Sequence, residues 1–131
     1  MISCVMAQRP SREERGAITE FHTRVRERVY PPASDMRMMK YTLEMENLAI
    51  DWTSRCELRY PDPALNPLFS GISLNHAVFV GDQPSLRYIA QEWYEEMKNY
   101  KYASNSCTGR CDHYKQMVHA ESTELGCWVA Q

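Results

Sequence analysis

The stretch Cys111-Asp112-His113-Tyr114-Lys115-Gln116-Met117-Val118-His119, followed by Thr123-Glu124-Leu125-Gly126-Cys127, decides how this chain is read. Asp112 is a helix-capping residue type, and a short helix is expected from it through Val118. Leu125 to Ala130 reads as a strand. Eighteen residues before Cys111 lies Trp93-Tyr94-Glu95-Glu96. The two motifs together hold a histidine and carboxylates that can carry chemistry, and apolar positions that can carry a fold.

Working outward, Ser85 caps a third helix whose stripe is Leu86, Ile89, Ala90, Trp93, Met97 and Tyr100. Arg87, Gln91, Glu95 and Lys98 face away, and Glu96 sits on the boundary. Residues 103–111 are small, polar and turn-like. Cys107-Thr-Gly-Arg-Cys111 is a C-x3-C whose glycine permits a tight turn, and in an oxidising compartment it closes a local disulfide. As a zinc half-site it lacks a second pair of ligands.

Residues 57–84 contain Pro61, Pro63, Pro67 and Pro84 with Gly71 and Gly81, which break every long period. A short buried strand or turn is expected within Gly71–Val80, in a segment that is otherwise a long loop. Before it, Thr42 caps a second helix with Met45, Leu48, Ala49, Trp52 and Cys56 on one face. The methionines at 36, 38, 39 and 45 read as core filler. Ser11-Arg-Glu-Glu14 is a capping box, opening a first helix over 11–29 with Ile18, Phe21, Val25 and Val29 as its stripe and Pro31-Pro32 as its stop. His22, beside that stripe, reads as a structural histidine rather than a ligand. Ala33 to Met36 is a connector. Residues 1–10 are a frayed terminus or the stump of a signal segment ending near Ala7.

A chain of 131 residues implies one domain, burying roughly 65–70% of its unfolded surface. Apolar residues at 44% and charged residues at 24% are globular values. A net charge of -2, from 15 basic and 17 acidic residues, argues against a nucleic-acid surface. No stretch approaches the ~20 apolar residues of a membrane span. Five cysteines leave at least one without an intramolecular partner. There is no phosphate-binding glycine loop and no Gly-x-Ser-x-Gly elbow.

These residues resemble the CAP superfamily, also called SCP/TAPS, which includes cysteine-rich secretory, venom-allergen-like and pathogenesis-related proteins. Its strongest motif, Gly-His-Tyr-Thr-Gln-aliphatic-aliphatic-Trp then Thr and Ile-Gly-Cys, stands here as Asp112 to His119, Thr123 and Leu125-Gly126-Cys127. Its Trp-Tyr-x-Glu stands as Trp93 to Glu96, with a trailing aromatic at Tyr100. Phe21-His22-Thr23-Arg24-Val25-Arg26 resembles its first helix, Pro32 to Met36 its connector, and Ala49-x-x-Trp52-x-x-x-Cys56 its second helix. The resemblance covers residues 11–131 and implies an α+β fold, a three-layer α-β-α sandwich with a central cleft. The family continues past the position of Gln131 with one or two more strands and further cysteines. This chain is therefore expected to lack C-terminal strand(s), to leave an unpaired sheet edge, and to leave Cys56 and Cys127 free or paired with each other.

The family cleft carries two His and two Glu, and in some members the two His hold a divalent metal. The second Glu falls on Glu96 and the second His on His113. The other two positions are Tyr60 and Leu74. A phenol with a reference pKa near ~10 is neutral at pH 7, and a leucine cannot ligate. The resemblance thus implies a degenerate tetrad, a binding cleft of Tyr60, Leu74, Asn75, Glu96 and His113, and no resident cofactor, His113 being the one inherited position able to hold zinc. His76 is the one substitute ligand nearby. The third departure is His119 in place of the motif's Trp.

The function expected is an extracellular, non-enzymatic binding module for a sterol, a lipid or a protein partner, with no nucleic acid and no membrane span. The alternatives are a metal-assisted hydrolase or protease using Glu96 as base and His113 as ligand or acid, and a purely structural His–Glu pair.

Overall fold

A computed structural model describes residues 9–130 of the chain, so the expected signal stump at 1–7 lies outside the described residues, as does Cys4. Helix α1 spans Arg12–Glu27. The Ser11 hydroxyl accepts the Glu14 N–H at 3.1 Å, satisfying one of the donors a helix start leaves unpaired. Ile18 and Val25 are buried as the stripe requires. The helix ends earlier than expected, and Val29 lies beyond it. A residue before proline is kept out of the helical region, so Tyr30 cannot complete a last turn and the chain unwinds ahead of it.

Strand β1 is Lys40–Tyr41 and helix α2 is Leu43–Thr53, with Thr42 Oγ1 accepting the Met45 N–H. Trp52 is buried edge-on against Phe69, and its indole N–H donates to the Arg59 carbonyl at 2.8 Å. Two expectations fail here. Cys56 follows the helix in a turn with φ +53° instead of joining its face. The methionines are not all core filler: Met38, in the irregular connector before β1, is 57% exposed.

Within 57–84 the regular element is a 3₁₀ turn at Pro67–Phe69. Gly71–Val80 forms no strand, and Val78, Phe79 and Val80 are exposed. An extended segment becomes a strand only beside a partner, and none of the described strands runs alongside it.

Helix α3, Leu86–Tyr94, is capped by Ser85 as expected, but it does not reach Tyr100. It tightens into a 3₁₀ turn at Glu95–Asn99. Three residues per turn instead of 3.6 shift the stripe, leaving Met97 exposed and passing Tyr100 into strand β2, Tyr100–Lys101. Strand β3, Ser106–Cys107, pairs antiparallel with β2 inside the stretch that sequence read as turn alone. Two-residue strands are too short to show a period. The Cys107–Cys111 disulfide closes the loop with Cα atoms 6.1 Å apart, and Gly109 takes the φ of +99° that its turn demands.

Helix α4 is Asp112–Met117. Asp112 does not cap it. The disulfide fixes Cys111 at the cap position, which moves Asp112 into the first turn. Strand β4 covers only Glu124–Leu125, in parallel register with β1 (Lys40 opposite Glu124, Tyr41 opposite Leu125). The expected strand to Ala130 is cut short because β1 gives way to α2 at Leu43. Gly126 then passes so close to α2 that a β-carbon there would collide with the backbone of Met45 and Glu46. Cys56 and Cys127 do not pair with each other. Cys56 is disulfide-bonded, whereas Cys127 is a half-buried free thiol.

The core is Ile18, Val25, Leu86, Ile89, Ala90, Tyr114, Met117 and Leu125. Helices α1, α3 and α4 pack together on one side, α1 also meets β1, and α2 packs on β4. This is the layered α+β arrangement. Two charged residues are buried within it. The Arg26 guanidinium donates to the carbonyls of Arg37, Met117, His119 and Ser122, tying the connector to the α4–β4 loop. Glu46 accepts from Arg9, Arg15 and Tyr41, tying α1 to α2. Among the described residues no helix is long and apolar enough to cross a membrane.

Candidate functional site

Three elements converge on His113. The 3₁₀ turn after α3 supplies Glu96, α4 supplies His113 itself, and the loop before α3 supplies Asn75 and His76. Glu96 Oε2 lies 2.7 Å from His113 Nδ1, and Glu96 Oε1 accepts the Tyr114 N–H at 3.1 Å. Asn75 Nδ2 donates to the His113 carbonyl at 3.0 Å. Trp93 stacks on the His113 ring, with centroids 5.8 Å apart and planes 26° apart. His113 is buried, at 6% exposure.

Tyr60 is 44% exposed, with its ring 4.9 Å from that of His76. Burial and the nearby Asp112 charge push the Tyr60 hydroxyl above the usual phenol value, so it stays protonated at neutral pH. His76 lies edge-on to His113 at 6.1 Å between centroids. Burial, then the His113 and Arg110 charges, lower the His76 pKa below 6.5, which keeps it neutral at pH 7. The fold thus gathers Tyr60, Asn75, Glu96 and His113 from the expected cleft. Leu74 is half-buried and offers no polar atom to them.

Sequence reasoning gave no site role to Trp93, which it counted as core stripe, or to Arg110 and Asp112. The ligand atoms of Glu96, Asp112 and His113 lie within 4.8 Å of one another. These donors are already engaged: Glu96 by His113 and Tyr114, and Asp112 by Arg110 at 2.9 and 3.4 Å. The exception is His113 Nε2, which is buried with no hydrogen-bond partner among the described residues.

The profile of the cysteine-rich secretory protein family matches residues 19–131. The chain belongs to this family, the CAP proteins. It is 33% identical over 116 residues to glioma pathogenesis-related protein 1 of Mus musculus, covering 84% of this chain and 44% of that protein. It is 30% identical over 122 residues to peptidase inhibitor 15 of Xenopus laevis, covering 86% and 46%. The solved venom allergen-like protein 4 of Schistosoma mansoni superposes with a TM-score of 0.65 at 30% identity, covering 88% of this chain and 78% of that one. This chain spans about half the length of the curated relatives it matches.

Beside the His113 cluster this CAP chain has a cavity of about 400 Å³. Leu74, Asn75, Trp93, Met45, Leu48 and Met117 are among the residues that line it. His22 also borders it. Its Nδ1 is bonded to the Ile18 carbonyl at 2.9 Å, as suits a structural histidine, and burial lowers its pKa.

Proposed function

We propose that this chain is an extracellular, non-enzymatic binding module that takes a sterol or the acyl chain of a lipid in the cavity beside its cleft. The observation that carries the reading is the cavity. Its volume of about 400 Å³ falls in the range of small-molecule sites, about 300–1,000 Å³. Part of its wall is methionine and aliphatic side chains that adapt to an irregular apolar guest, and polar residues including His22, Asn75, Gln116, Glu121 and Glu124 also line it and can orient one. Extracellular location is supported by the family and by the Cys107–Cys111 disulfide, which belongs to oxidising compartments.

We read Glu96 and His113 as fastening α4 to the end of α3 rather than as an acid–base couple. Both carboxylate oxygens are engaged by α4. The two positions that would complete a tetrad are a neutral phenol and a leucine.

The test is titration of the refolded chain with a fluorescent sterol and with a fluorescent fatty acid. Saturable binding at micromolar concentration is expected for one of them, weakened at least tenfold in Leu48→Trp, which fills the cavity. Absence of saturable binding to either probe sinks the reading. Ester or peptide hydrolysis above buffer that disappears in Glu96→Gln would replace it with a hydrolase.

A further inference from the structure

We infer that the cavity beside the cleft takes the polar end of an uncharged alcohol, whose hydroxyl donates to His22 Nε2, and turns a carboxylate end away, an inference that rests on reading this cavity as a lipid site and names the head group. His22 is 6% exposed and borders the cavity. Its Nδ1 lies 2.9 Å from the Ile18 carbonyl. A carbonyl can only accept, so Nδ1 carries the ring proton. Burial lowers the pKa of the ring below 6.5, with the Ile18 bond opposing and the Arg26 charge adding to it, so the imidazole is neutral at pH 7. Nε2 is then a lone pair, and no group among the described residues bonds to it. An acceptor placed this deep is satisfied by a guest that brings an O–H.

The charges on the lining decide against an anion. Glu121 and Glu124 lie on it, both exposed. Neither forms an ion pair among the described residues. None of the described residues that line the cavity is a lysine or an arginine. A carboxylate head therefore meets two like charges with no cation to hold it, and it offers only acceptors to Nε2. A cationic head suits the two glutamates but not His22, where the charge of the buried Arg26 is already felt. A hydroxyl meets neither repulsion and supplies the missing donor. Met45, Leu48, Phe69 and Met117 are left to receive the apolar body.

The test is calorimetric titration of the full chain at neutral pH with decanol, decylamine and decanoate, which share one chain and differ in the head. Decanol is expected to bind about tenfold tighter than decanoate, and no weaker than decylamine. Glu121→Gln combined with Glu124→Gln, two changes at exposed positions, should tighten decanoate about threefold and leave decanol within about twofold. The ¹⁵N resonance of His22 Nε2 should move as decanol saturates the site, a readout that needs no substitution in the core. Decanoate binding as tightly as decanol, decylamine binding more tightly than decanol, or a His22 signal unmoved at saturation overturns the inference and leaves the lipid reading standing. So does absence of binding by all three where the fluorescent sterol or fatty acid binds. Absence of binding by every probe sinks both.

Discussion

Glu96 holds α4 through a single carboxylate: one oxygen lies 2.7 Å from His113 Nδ1 and the other accepts the Tyr114 backbone N–H at 3.1 Å. The replacement Glu96→Gln keeps the shape and removes one acceptor. We expect it to cost about 1–3 kcal/mol in urea unfolding. The His113 imidazole ¹⁵N shifts should move from one tautomer toward a mixture, because the one remaining amide oxygen cannot serve both Nδ1 and the Tyr114 N–H, and the amide NH₂ favours an unprotonated Nδ1. An unchanged tautomer in Glu96→Gln would mean the carboxylate does not set it.

Glu46 is buried with hydrogen bonds from Arg9, Arg15 and Tyr41. Burial works against its charge, but the bonds from Arg15, Tyr41 and Arg9 outweigh burial and hold the carboxyl below 4.5. Glu46→Gln strands Arg15 against α2, and a loss of about 2–4 kcal/mol is expected from equilibrium unfolding. A loss under 0.5 kcal/mol would show that the cluster contributes nothing net.

Stability should fall on acidification in two steps. Burial lowers the His22 pKa below 6.5, so the unfolded chain binds this proton more readily than the folded one. The stability His22 contributes is therefore full above 6.5 and is lost as pH falls through its folded value. Glu46, also depressed, adds a second loss below 4.5. Melting temperatures across pH 3–8 should show both limbs, and His22→Gln should flatten the first alone.

The Arg26 guanidinium meets five backbone carbonyls, those of Arg37 in the connector and of Met117, His119, Ala120 and Ser122 at and after the end of α4. Lysine keeps the charge but offers three donors from one point rather than a planar fork. Arg26→Lys should cost about 2–3 kcal/mol, seen as a lower urea midpoint at constant slope. A midpoint equal to the parent's would show that water replaces the fork without loss.

The Cys127 thiol is pushed up to about 12 by burial, with the Glu46 charge adding to it. At pH 8 its thiolate fraction is then roughly three orders of magnitude below that of a free cysteine. Disulfide exchange with an aromatic disulfide reagent should be slow in the native chain and fast in urea. Rapid native labelling would contradict the packing around β4.

Much of the fold was legible in the amino-acid order because helix signals are local. The caps at Ser11, Thr42 and Ser85 each bind the N–H three residues on, and the stripes through Ile18 and Leu86 form the core. The sequence by itself determined the family and most of each helix, since motif and periodicity both lie within short spans of chain, whereas a pairing of Glu96 with His113 was only one alternative that the family resemblance offered. It did not determine strand lengths, which depend on where a distant partner ends: β4 stops because β1 yields to α2 at Leu43. Nor did it settle the surroundings of His113. Only the tertiary structure put Trp93 on its face and His76 at its edge, and left Nε2 buried without a partner among the described residues. Those contacts join α3, α4 and a loop with no period of its own, and a loop is positioned by what it packs against, not by its own residues.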